Sequence, residues 1–462
     1  VEITQGIIYS KITEATSEEI EKVNKCLSFK SPNYWFSPKY KSGVWDGYIR
    51  FLYNSKIFPA GLTSYVSGKL TDCDIQVNSY NFPDFSPRVT PTLLKTKQMG
   101  GEYQYQQEAI IRVLKGGRGI LHLATGAGKT YIAAAIASII KQPALFIVPG
   151  IDLMYQTKEV FERETDLSVG LLGGGKDIID ADIVIGVINT IYNRSKKKGK
   201  YRDWLEQVYL VFADECHLAS AKQYSSVLQK CTSAVFRIGL SGTPLEHGDI
   251  RNMKLIGTLG PVIDTVRNTQ LIELGVSARP IVHIHKIERT NTEPQSWKYP
   301  DIYDAHIVNN KYRNDKIVEI AKKGLDKGQT VIVLVQRIEH GESLYRLFKY
   351  TGVDAPFCYG DTDKQMRQDL LAHIKRNKGT ILILSKIGEV GLDIPAIDVI
   401  IRGSGGKSSI STIQAIGRGL RKKENENVVY YHDFNDTLDE YTQEHSRLRI
   451  KDYKGEEFDI RE

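Results

Sequence analysis

Six short apolar runs, arranged as two sets of three, constrain this fold more than any other feature. "ALFIV" (144–148), "DIVIGV" (182–187) and "VYLVFA" (208–213) form the first set, and "TVIVLV" (330–335), "TILILS" (380–385) and "DVIIR" (398–402) the second. A run that is apolar at every position, without alternation, suits a strand buried on both faces. Such strands belong to parallel sheets covered by helices. Helical stretches separate the runs, and 462 residues are too many for one hydrophobic core. The pattern predicts an α/β chain of two tandem doubly wound parallel-sheet lobes, at 91–275 and 276–462. Residues 1–90 lack this rhythm and read as a small α+β domain.

Within that first domain "TSEEIEKVNKCLSF" reads as a helix, with Thr16 and Glu19 at capping-box spacing and Ile20, Val23 and Leu27 on one face. "SPRVTPTLLKTKQMGG" (86–101) reads as a linker, with prolines near its start and glycines at its end. "RSKKKGK" (194–200) reads as a solvated loop. The longest apolar helix candidate, "TYIAAAIASIIK", falls short of a bilayer span, and no secretory signal opens the chain, so no membrane association is expected. The five cysteines (Cys26, Cys73, Cys216, Cys231 and Cys358) are scattered, without a Cys-x-x-Cys pair. A disulfide framework or zinc site is therefore not expected, and a reducing cytoplasm is. A net charge of +7 hints at a polyanionic partner without identifying one.

Two segments carry candidate chemistry. In "LHLATGAGKTYIAAAIASII" a strand enters a glycine-rich loop and a helix leaves it. Gly126 and Gly128 let the backbone of Thr125–Gly128, Ala127 included, turn its N–H groups onto phosphate oxygens, and the helix N-terminus faces the same anion. Lys129 is placed to reach the β/γ-phosphates of ATP and Thr130 to hold Mg²⁺. Leu123 stands where the phosphate-loop pattern has its first glycine. In "VYLVFADECHLAS" a strand ends in Asp214–Glu215. Adjacent carboxylates there are costly without a cation, and Mg²⁺ on a nucleotide supplies one. Asp214 then binds the metal, and Glu215 positions and deprotonates the attacking water.

"GAGKT" followed by "DECH" resembles the superfamily 2 helicases of the DEAD/DEAH-like group, and further segments match in order over about residues 100–430. "YQYQQEAI" is similar to the segment ahead of the phosphate loop, which implies an adenine contact for Gln106. "VPGIDLMYQ" resembles a family segment with Gly150 in place of Thr. "LSGTP" resembles the segment linking hydrolysis to strand movement, which implies coupling roles for Ser241 and Thr243, with His217 of "DECH". "LSKIGEVGLDIP" matches a second-lobe segment at Gly391, Asp393 and Pro395, with Ser385 in place of Thr, and implies a nucleotide contact for Asp393. "QAIGRGLRKK" matches at Gln414, Gly417, Arg418 and Arg421. Arginines three apart share a helix face. The resemblance makes Arg418 and Arg421 the γ-phosphate arginines and Gln414 a coupling residue. It also implies that the two lobes are RecA-like, and that ATP and Mg²⁺ are used.

"KYKSGVWDGYIRFLY" (39–53) raises a separate question. From Lys22 to Lys56 there are seven basic residues against one acidic, Asp46, interleaved with aromatics. Such a surface suits a nucleic-acid backbone with exposed bases, and the candidate DNA contacts are Lys39, Lys41, Trp45 and Arg50. The competing reading is a small strand–turn–strand core, with Asp46–Gly47 as the turn and Trp45, Ile49, Phe51 and Tyr53 facing inward. The run "GVWDGYIRFLY…IFPAGL" resembles the N-terminal domain of UvsW-type phage recombination helicases, of a T5-like rather than T-even kind given Thr130. That resemblance implies a monomeric ATP-dependent helicase in the infected host's cytoplasm. Its expected partners are branched double-stranded DNA (forks, Holliday junctions), single-stranded DNA and RNA–DNA hybrids. Two alternatives remain: a translocating motor subunit of a restriction-type complex, and an ATP-switched DNA-binding module. The segment 286–315 between the lobes reads either as a strand-separating element or as a connection.

Overall fold

The structure is a computed structural model that describes residues 1–79, 81, 83, 85–220, 222–245, 249–360, 362–376, 379–385, 397–407 and 427–462. It divides into a first unit, residues 1–123 with 128–266, and a second, residues 267–462 with 124–127. The second unit thus begins before the expected position 276, because the short helix Asn268–Glu273 belongs to it.

The first unit opens with strands β1 (Glu2–Gln5) and β2 (Tyr9–Glu14), helix α1 (Ser17–Cys26), strand β3 (Ser28–Lys30), helix α2 (Pro38–Lys41), strands β4 (Tyr48–Arg50) and β5 (Ile57–Pro59), helix α3 (Thr63–Lys69) and strand β6 (Gln76–Asn78). A four-stranded sheet runs β5-β2-β1-β6, and β3 and β4 form a separate pair. Both halves of the expected capping box are present. The Glu19 N–H donates to Thr16 Oγ1 at 3.3 Å, and the Thr16 N–H donates to the Glu19 carboxylate at 2.7 Å. Val23 and Leu27 are buried against Ile3, Ile12, Phe58 and Val66. The small domain is docked on the rest of the unit. Ile256, from the helix Asp249–Leu259, joins its core, and a Cβ on Gly61 would lie 1.9 Å from the Ile256 carbonyl oxygen.

The strand–turn–strand expectation for 39–53 holds only in part. β4 pairs with β3, Phe29 opposite Ile49. Phe51 and Leu52 are both buried, while Tyr53 is 42 % exposed, so the inward alternation stops where β4 ends. The 86–101 stretch is pinned down rather than free. The buried Glu164 carboxylate accepts from the Thr96 and Lys97 N–H groups, at 3.0 and 3.2 Å, and from Thr96 Oγ1 at 2.6 Å.

The rest of the unit holds helix α4 (Gln104–Gly116), β7 (Arg118–Leu123), α5 (Lys129–Ile140), β8 (Ala144–Val148), α6 (Ile151–Glu164), β9 (Val169–Gly173), β10 (Lys176–Asp177), β11 (Ile183–Val187), β12 (Leu210–Asp214), β13 (Phe236–Ser241) and β14 (Val262–Val266). Its sheet runs β10-β9-β11-β8-β12-β13-β7-β14, and every pairing but the antiparallel edge pair β10–β9 is parallel. Every residue of β8, β11, β12 and β13 is buried; the apolar runs of β8, β11 and β12 suit this, while β13 buries Arg237 within it. β7 enters this order between β13 and β14. The carboxyl ends of β12, β13 and β7 are therefore neighbours, with Asp214 beside Leu240 and Ser241 beside His122. Strand ends at such a switch in order are where open α/β sheets bind ligands.

The second unit is a wholly parallel seven-stranded sheet. Its strands are β15 (Arg279–Ile287), β16 (Val331–Leu334), β17 (Phe357–Cys358), β18 (Ile381–Leu384), β19 (Val399–Arg402), β20 (Val428–Asp436) and β21 (Asp459–Arg461), in the order β17-β18-β16-β19-β20-β15-β21. Two buried ion pairs brace it: Arg313 with Asp436 at 3.0 Å and Arg449 with Asp433 at 2.8 Å. Within 286–315, the helix Tyr299–Tyr303 continues as a π-turn, Asp304–Val308, whose Ile307 and Val308 are buried. Among the described residues no helix is long and apolar enough to cross a membrane, and no group of three potential metal ligands occurs.

Candidate functional site

The phosphate-loop candidate joins the end of β7 to the start of α5. Gly126 and Gly128 have φ of +87° and +85°, a region other residues enter only with strain. A Cβ on Gly128 would also fall 2.4 Å from Nε2 of Gln106, so that side chain would have to shift. Gln106 lies on α4 and is 1 % exposed, so α4 sets it directly against the loop. The Ala127 N–H donates to the Ala124 carbonyl at 3.1 Å, closing the turn. Lys129 Nζ donates to the Leu123 carbonyl at 3.2 Å, and Thr125, Lys129 and Thr130 are half-buried. Leu123 needs no glycine's freedom. It is the last residue of β7 and wholly buried, so core packing selects its side chain.

Asp214 ends β12 and is buried; Glu215 follows in a left-handed backbone conformation, φ +47°. A non-glycine residue held there stores strain that the surroundings must enforce. Burial first, and the charge of Glu215 second, push the Asp214 carboxyl well above the usual carboxylate range, while Lys129 pulls it back. A cation at this position would relieve that penalty, so the donor set of Asp214 and Thr130 fits a hard divalent ion such as Mg²⁺.

From the acidic pair a chain of contacts runs to the end of β13. His217 Nδ1 lies 3.3 Å from the Glu215 carboxylate and 3.2 Å from Ser241 Oγ, and Ser241 Oγ accepts from the Thr243 N–H at 3.2 Å. His122 Nε2 lies 2.8 Å from the Gly242 carbonyl oxygen, tying the end of β7 to the same segment. The sequence reading did not single out His122. Its only signal was its place at the end of the strand that leads into the loop. Asp393, Gln414, Arg418 and Arg421 lie outside the described residues.

The four candidate DNA contacts differ in availability. Lys39 and Lys41, on α2, are exposed. Arg50 is engaged by Asp46 through both of its terminal nitrogens, which lowers the Asp46 carboxyl to about 2. Trp45 donates its Nε1–H to the Tyr48 carbonyl at 2.7 Å, so it braces the local turn. The most exposed aromatics of the first domain, among the described residues, are instead Trp35, 50 %, and Phe36, 70 %, on a 3-10 turn before α2. Lys30 Nζ stands 4.3 Å over the neighbouring Tyr34 ring. The sequence marks these residues only as part of the interleaving of basic and aromatic residues between Lys22 and Lys56.

Comparison with known proteins matches three family models: DNA helicase UvsW, N-terminal, over residues 7–79; type III restriction enzyme, res subunit, over 101–246; and helicase conserved C-terminal domain, over 314–423. Among curated relatives, the ATP-dependent DNA helicase uvsW of Enterobacteria phage T4 is 26 % identical over 446 residues, covering 89 % of this chain and 86 % of the relative. The chain is a UvsW-like superfamily 2 helicase. This UvsW-like chain is also 27 % identical to the DNA 3'-5' translocase XPB2 of Sulfurisphaera tokodaii, over 70 % of its own length and 80 % of the relative's. In fold it resembles the Mycobacterium smegmatis helicase Lhr bound to ssDNA and AMP-PNP, with TM-score 0.53, 16 % identity, and coverage of 78 % and 49 %. The two doubly wound sheets of the UvsW-like chain are its RecA-like lobes, preceded by the small α+β domain.

Proposed function

We propose that this chain is an ATP-driven motor that remodels branched DNA (forks, Holliday junctions and RNA–DNA hybrids) as a monomer in the cytoplasm of a phage-infected host. The observation that carries the motor reading is the meeting of three features at adjacent strand ends: the phosphate loop after β7, the acidic pair after β12, and the Ser241–Thr243 segment after β13. The UvsW-type N-terminal domain supports the branched substrate.

In this reading the loop residues Thr125–Gly128 and Lys129 bind the phosphates of ATP, and Gln106, set against the loop, contacts the adenine. Thr130 and Asp214 would hold Mg²⁺, which when bound neutralises phosphate charge. Glu215 positions the attacking water and takes its proton. A change at Glu215 reaches Ser241 through His217, a route of hydrogen-bond length from hydrolysis to the strand-contacting segment. Asp393, Gln414, Arg418 and Arg421 complete the nucleotide and coupling set. Lys39, Lys41, Trp35 and Phe36 present the first domain to DNA, with Arg50 and Trp45 in support.

Glu215→Gln tests the chemistry. The variant should bind ATP and DNA normally and lose turnover by roughly 10²-fold or more. Near-normal hydrolysis would remove Glu215 from this role. The match to a restriction-enzyme subunit over 101–246 favours one second reading, a duplex translocase that moves without separating strands. Hydrolysis stimulated by duplex DNA without strand separation would select it.

A further inference from the structure

A half-buried positive charge with no carboxylate partner among the described residues lies in the first unit at the end of the lobe opposite the phosphate loop. β7 runs from Arg118 to Leu123, and its six residues separate these ends by roughly 20 Å. Arg118 is half-buried; Nη2 donates to the Ile7 carbonyl of the small domain, and Nη1, shielded from solvent, has no hydrogen-bond partner among the described residues. Its register partner on β13 is another cation, the fully buried Arg237. Arg237 is satisfied by carbonyls alone, those of Leu228 at 2.7 Å, Cys231 at 3.1 Å and Thr258 at 3.2 Å. Burial, with the charge of Arg237 adding to it, pushes the pKa of Arg118 down to about 9.

A half-buried and a buried cation side by side, with no carboxylate beside them among the described residues, carry a desolvation cost. The C-terminal end of α4, just before Arg118, offers roughly half a negative charge against two positive ones. Arg118 lines a cavity of about 480 Å³ between the small domain and the lobe, with Ser79 and Asn81 on one side and Lys115 on the other. No acidic residue is among its described lining residues.

We propose that this cavity binds a phosphate-type anion, held by Arg118 and Lys115 with hydroxyl and amide donors from Ser79 and Asn81. A guanidinium fork suits a tetrahedral oxyanion, which offers two oxygens along one edge. The anion comes either from a nucleic-acid backbone or from a free phosphate compound. The site is separate from the nucleotide site and does not depend on the motor reading.

The test uses the full chain with saturating ADP, so that the phosphate loop is filled, and inorganic pyrophosphate as the probe. Wild type is compared with Arg118→Met and with Ser79→Asp, which places a carboxylate in the cavity while leaving Arg118 intact. Pyrophosphate should raise the wild-type Tm by about 2 °C or more, and the rise should vanish in both variants. In parallel, the salt dependence of short-duplex binding is measured. If the cavity holds a backbone phosphate, both variants release it and the slope of log K against log salt falls by about one. A Tm rise with unchanged slope assigns the site to a free phosphate compound; a lowered slope assigns it to a nucleic-acid backbone. An unchanged slope with no Tm rise overturns the proposal, as does an equal rise in wild type and variants. If Arg118→Met fails to fold, Ser79→Asp gives the same readings.

Discussion

Gly128 shows at the scale of one residue how the loop combines two requirements. Its φ of +85° excludes most side chains, and Gln106 fills the space a Cβ would take. A left-handed conformation costs a non-glycine residue about 1–2 kcal/mol, and the displaced Gln106 adds to that. Gly128→Ala should therefore weaken ATP binding about tenfold or more in an equilibrium titration, at 1.4 kcal/mol per tenfold. Gly43→Ala is the control, with a similar φ of +73° and nothing within 4 Å of its Cβ, and should leave ATP affinity unchanged. Equal ATP affinity in wild type and Gly128→Ala would remove this loop as the phosphate site. The loop was legible in the sequence because chemistry restricts these positions to glycine, lysine and threonine. Arg50 and Arg118 were not legible. Whether an arginine is spent on an Asp four residues earlier, or left half-buried with no carboxylate beside it among the described residues, depends on packing that the letters do not record.

At the scale of elements, the continuous apolar runs identified the buried strands, since a strand covered on both faces cannot alternate. They did not give the strand order, which arises from long-range pairing and brings β7, β12 and β13 to one edge of the site. The first domain was harder to read for a related reason. β3 and β4 have three residues each, too few for alternation to show, and the packing of Phe51 and Leu52 ignores it. How that domain docks was not visible at all, because it rests on the contact of Gly61 with the carbonyls of Ile256 and Gly257, at 1.9 and 2.8 Å from an added Cβ. Gly61→Ala must displace that backbone and should destabilise the unit by about 1–3 kcal/mol, read as a lower denaturation midpoint. Gly68→Ala, in α3 with open space around it, should be neutral or stabilising by up to about 1 kcal/mol. Equal stability of the two variants would contradict the docking described for Gly61.

In the whole molecule a UvsW-type first domain precedes two RecA-like lobes. The lobes explain ATP use, and the first domain is the part that matches the UvsW N-terminal model. Phosphate contacts carry little sequence information, so selection among DNA forms falls to shape and to bases exposed at a branch. The most direct test is ATP-dependent strand separation, at fixed salt, on a Holliday junction, a fork and a tailed linear duplex of equal length. The account predicts rapid separation of the junction and fork with little action on the tailed duplex. Equal rates on all three would contradict it.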